Sequence, residues 1–128
     1  MATIEQLMDL PGALAAFEFR GSGELLNHSI RASDLLNPEI LDLLAHVCAA
    51  NMSIAAMQAR GLDKLTNIGG FYPVHEFTLL GFDWSVVISA HQRESRKTGG
   101  NEIWPPFIGV VLSNNQADYG AALRLLES

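Results

Sequence analysis

Leu7–Leu26, reading LMDLPGALAAFEFRGSGELL, is the stretch that decides the fold. Proline disfavours helix at the residue before it and glycine opens a turn, so Leu10-Pro11-Gly12 closes a short helix. That helix begins at Thr3, where a hydroxyl followed by Gln6 has capping-box spacing, and Ile4, Leu7 and Met8 form its apolar stripe. Beyond the turn the period changes from helical to alternating. Ala13, Ala15, Phe17 and Phe19 are expected on one face of a strand over Ala13–Phe19, with Glu18 on the other. Two glycines in Arg20-Gly21-Ser22-Gly23 supply the positive φ of a hairpin that returns through Glu24–Ile30. The same Gly-x-Gly has neither the third glycine nor the following helix of a phosphate-binding loop.

Working outward, Asn37 and Pro38 provide an N-cap and a first-turn proline for a long helix. It is expected to run to about Arg60, with Gly61 as its cap. Ile40, Leu43, Leu44, Val47 and Ile54 form one bulky face. Leu41, Ala45, Cys48, Met52, Ala55, Ala56 and Ala59 form an adjoining flank of mostly small side chains. Only Asp42, His46, Ser53 and Arg60 make a narrow polar wedge. Three strands follow, over Pro73–Leu80, Asp83–His91 and Phe107–Ser113. The last is apolar throughout, as suits a central strand covered on both faces. Gln92–Pro106 is a long polar connection between the second and third of these. Asn115 is placed to cap a final helix from Gln116 to about Glu127, striped by Tyr119, Ala122, Leu123 and Leu126. The order α-β-β-α-β-β-β-α predicts an α/β (α+β) sandwich: one five-stranded, mainly antiparallel sheet with helices on both faces.

The 128 residues fit one domain, residues 1–128. Hydrophobic residues at 48% argue against disorder, and a net charge of −6 argues against a phosphate-binding or nucleic-acid surface. One cysteine makes no internal disulfide. No basic and apolar leader opens the chain, and Asp42, His46, Asn51 and Gln58 interrupt the apolar run of the long helix. A buried helix in a cytoplasmic protein, with no membrane contact, is the expectation.

Candidate chemistry is sparse. His46 and Cys48 are two apart on a helix and point in different directions. His75-Glu76 lacks the second histidine of His-Glu-x-x-His. His28 is a further histidine candidate, and His75 and His91 can face each other across an antiparallel pair, which is more often a surface feature than a metal site. Cys48 reads as a small buried hydrophobe. No catalytic residue, cofactor site or metal site is assigned. Arg93, Arg96, Lys97 and Trp104 in the long connection are the candidates for a partner-binding loop, because arginine and tryptophan anchor interfaces.

The element order, together with Leu7, Pro11-Gly12-Ala13, the run Leu14–Phe19, the glycine turn and Glu24-Leu25-Leu26, resembles the roadblock (dynein light chain) superfamily. The Ala-rich helix and the late apolar strand before a C-terminal helix resemble it too, and the branch it looks most like is prokaryotic. The resemblance implies a profilin-like sandwich and homodimerisation through the long helix and an edge strand. It also implies a non-catalytic scaffold or regulator, often of small Ras-like GTPases. A small-molecule sensor with a pocket between sheet and helix is the alternative. On this reading the bulky face covers the protomer's own sheet, and the flank from Leu41 to Ala59 meets a second copy.

Overall fold

The computed structural model describes residues 2–31, 36–90 and 107–127. Helix α1 (Ile4–Met8) opens on the expected capping box: Thr3 Oγ1 accepts from the Gln6 amide at 3.1 Å, and Gln6 Oε1 accepts from the Thr3 amide at 3.0 Å. Strands β1 (Ala13–Phe19) and β2 (Leu25–Ile30) make the first hairpin. After α2 (Pro38–Thr66) come β3 (Glu76–Leu80), β4 (Trp84–Ala90), β5 (Phe107–Ser113) and α3 (Tyr119–Glu127). The element order is the one expected.

The five strands form one sheet in the order β2-β1-β5-β4-β3, antiparallel at every neighbour. Placing β5 at the centre is what its unbroken apolar sequence requires, because both of its faces are covered. Phe107 and Val111 lie with Ala15, Phe17, Phe19, Val86, Ile88 and α2 on one face. Ile108, Val110 and Leu112 lie with Ala16, Val87, α1 and α3 on the other. Ala13 belongs to this second cluster, away from Ala15, Phe17 and Phe19. A register shift between Ala13 and Ala15 in the β1–β5 ladder carries it across, which simple alternation does not foresee.

Two helix ends differ from expectation. Gly61 stays inside α2, where a Cβ would meet nothing within 4 Å. A lone glycine costs a helix about 1 kcal/mol, too little to stop it when Leu62-Asp63-Lys64-Leu65 continue it. The helix ends at Asn67, left-handed at φ 56°. At the other end of the chain Asp118 caps α3, its Oδ1 accepting from the Ala121 amide at 3.0 Å, so the helix starts at Tyr119 instead of Gln116. Asn115 lies in the preceding turn. Likewise β3 starts at Glu76 and not at Pro73, which has no amide to give a ladder.

Candidate functional site

Helix α2 lies across the Phe17/Phe19 face with the opposite orientation to the one expected. Leu41, Ala45 and Cys48 are fully buried, Met52 and Ala59 are buried, and Ala55 and Ala56 are half-buried. Of the bulky face Leu44 packs half-buried against the core as expected, but the rest points outward, with Leu43 66% and Ile54 52% exposed, and Met57 beyond them 69% exposed. The reason is volume. The sheet already fills this face with Phe17, Phe19 and Phe107, whose neighbouring ring centroids lie 5.5 and 5.3 Å apart. Only small side chains let the helix approach such a surface closely. At its start α2 is held by the polar wedge. Asp42 Oδ1 accepts from the Leu25 amide at 3.3 Å, and the His46 ring occupies the space where a Cβ on Gly23 (φ 99°) would stand. The flank of Leu41, Ala45, Cys48, Met52 and Ala59 is therefore core and cannot be an interface without unfolding.

The outward stripe reads Ile40, Leu43, Val47, Ala50, Ile54, Met57, with steps alternating between three and four residues. That is the a/d spacing of a helix seam, with β-branched residues at each a position. The first turns of α2 share a cleft with the end of β3, which, like β2 at the opposite side of the sheet, is unpaired on its outer edge. Leu79, Leu80 and Trp84 are exposed there, and Phe82 at the β3–β4 turn is wholly so. Between helix and edge lies an apolar cleft of about 550 Å³, lined by Leu36, Ile40, Leu44, Leu80, Trp84 and Val111 among others. By length and composition α2 could also cross a membrane, and 28% of its most apolar window is buried, so it is less enclosed than the sequence suggests. The sequence contains the stripe, but nothing in it says which apolar flank of α2 faces out.

The candidate chemical groups stay apart, with one exception. Cys48 is enclosed by the core, and burial pushes its thiol up from 9.0 to about 12, so it is neither nucleophile nor ligand at neutral pH. His28 is exposed on β2, and His46 Nδ1 sits 2.7 Å from the Asp42 carbonyl oxygen. His75, just before β3, has Glu76 Oε1 at 3.7 Å from its Nε2. His91 and the candidate loop residues Arg93, Arg96, Lys97 and Trp104 lie outside the described residues. Arg60 stacks over Tyr72 at 4.4 Å and donates to its hydroxyl at 2.7 Å, and Asp63 accepts the Phe71 and Tyr72 amides. Together these tie the end of α2 to the approach to β3.

Residues 3–93 match the profile of a family described as an uncharacterized conserved protein (DUF2173). No curated protein matches the chain in sequence. Among solved structures, an MglB with tetrameric arrangement is similar over 97% of this chain and 79% of its own, at TM-score 0.67 and 20% identity. The gliding protein MglB of Thermus thermophilus is similar over 97% of this chain and 80% of its own, at TM-score 0.62 and 20% identity. A Roadblock/LC7 domain from Streptomyces avermitilis is similar over 97% and 88%, at TM-score 0.61 and 12% identity. The fold is that of the roadblock superfamily.

Proposed function

The chain belongs to the DUF2173 family and is built on the roadblock fold, and on that premise we propose that it is a cytoplasmic, non-catalytic regulatory module. In this reading it pairs with a second copy through the outer stripe of α2 and the open edge of β3. One observation carries the proposal: Ile40, Leu43, Val47, Ile54 and Met57 form a continuous apolar seam beside an unpaired strand that exposes Leu79 and Leu80. Soluble monomers rarely leave such a patch uncovered, and a two-fold copy of the same seam is the simplest cover. Cys48, the chain's one cysteine, is shut inside the core. A small Ras-like GTPase is the regulated partner that the fold's resemblance suggests.

Light scattering during gel filtration tests the assembly. The expected mass is twice 13.9 kDa, falling to that of one chain in Val47→Glu and Ile54→Glu with the circular dichroism spectrum unchanged. A wild-type monomer, or a dimer indifferent to both substitutions, would overturn it. The GTPase reading is tested separately, by whether the protein changes the nucleotide hydrolysis rate of a small Ras-like GTPase from the same source. The 550 Å³ apolar cleft supports a second reading, a small-molecule sensor. Native mass spectrometry separates the two, because a sensor retains a ligand mass on each chain.

A further inference from the structure

Away from that surface, on the opposite face of the sheet, we infer that His75, Glu76 and Glu127 form a binding site for one divalent first-row transition cation, with zinc the natural probe. The three side chains come from the approach to β3, from β3 itself and from the last turn of α3. One ligand atom from each lies within 4.8 Å of the others. Imidazole nitrogen with two carboxylates is a donor set that suits zinc and its neighbours, and the nitrogen disfavours magnesium and calcium.

A second and independent observation points to a missing cation. Glu76 Oε1 is shut off from solvent and has no hydrogen-bond donor. Directly across the β3–β4 ladder from Glu76 is Ser89, which is 1% exposed and whose hydroxyl also has no partner. Residues opposed in this way share a sheet face, so both orphaned oxygens belong to the same side of the sheet. It is the face of α3, because Ser85, on the same side of β4 as Ser89, donates to Tyr119 Oη at 3.2 Å. Native proteins rarely leave one such atom unsatisfied, let alone one on each of two opposed residues. Glu127 brings a second carboxylate oxygen within 4.8 Å of the first, and like charges that close call for a counter-ion. A cation would satisfy both, take His75 Nε2 as its nitrogen ligand and leave the Ser89 hydroxyl as an outer donor to Glu76. The site would join the last turn of α3 to the sheet's edge strand.

The test is zinc titration of chelator-stripped full-length protein by calorimetry, with native mass spectrometry for stoichiometry and cobalt substitution for the visible ligand-field spectrum. One ion per chain is expected, with a rise in Tm on binding. Glu127→Gln, at an exposed helix end, should fold normally and lose both the ion and the Tm rise. Ser89→Ala should weaken affinity about tenfold, the effect typical of an outer-sphere partner. Absence of stoichiometric zinc, or zinc retained undiminished in both Glu127→Gln and Glu76→Gln, would overturn the site and assign any uptake to surface histidines.

Discussion

The two apolar flanks of α2 have opposite fates, and the more hydrophobic of them is the one left outside. The inner one, Leu41-Ala45-Cys48-Met52-Ala59, is narrow because alanines and a cysteine dominate it, and it is buried against a sheet crowded with phenylalanine rings. The outer one, Ile40-Leu43-Val47-Ile54-Met57, is broad and projects from the protomer. Fit to the surface underneath decides which flank is core, and side-chain hydrophobicity alone does not.

The largest effect should come from moving one charge between the flanks. Ala45→Glu places an unpaired carboxylate where no solvent reaches, and should lower stability by more than about 3 kcal/mol in urea titration. Leu43→Glu, two residues earlier, should leave the fold of the single chain within about 0.5 kcal/mol. Similar losses from both would erase the distinction between the flanks. Cys48 gives a chemical version of the same contrast. With its thiol at about 12 against an ordinary 9.0, the folded protein keeps a proton that the unfolded chain releases. Stability owed to that proton is complete below pH 9 and declines as pH rises from there toward 12. Alkylation by iodoacetamide at about pH 8 should accordingly be negligible until denaturant unfolds the chain. Prompt labelling of the native protein would mean that the inner flank opens. The smallest effect is expected at Gly61, whose added Cβ meets nothing. Gly61→Ala should raise stability by about 0.5–1 kcal/mol, read as an upward shift in the urea midpoint.

Much of the architecture is legible in the amino-acid order. The Thr3/Gln6 cap, the two-glycine hairpin, the Asn37-Pro38 start of α2 and the central position of β5 each follow from local chemistry. The orientation of α2 does not. A helix with apolar residues on most of its circumference satisfies the helical period whichever flank is turned inward, and the deciding volumes belong to Phe17, Phe19 and Phe107, which lie elsewhere in the chain. Gly61 misleads for a related reason: it permits a stop but does not impose one, and Asn67 supplies the left-handed residue. The β1 bulge is invisible because alternation has no marker for an inserted residue. The grouping of His75 and Glu76 with Glu127 depends on α3 ending over β3, which no spacing along the chain encodes.

The clasp at the end of α2 bears on what any partner meets. Asp63 holds the Phe71 and Tyr72 amides, and Arg60 holds the Tyr72 hydroxyl. The helix that carries the outer stripe and the segment that feeds the open strand are thereby fastened to each other just before β3 begins. Their relative angle is set before association. A molecule docking across both finds its two footholds already at fixed separation, so little conformational freedom is lost in the encounter and more of the contact energy remains as affinity.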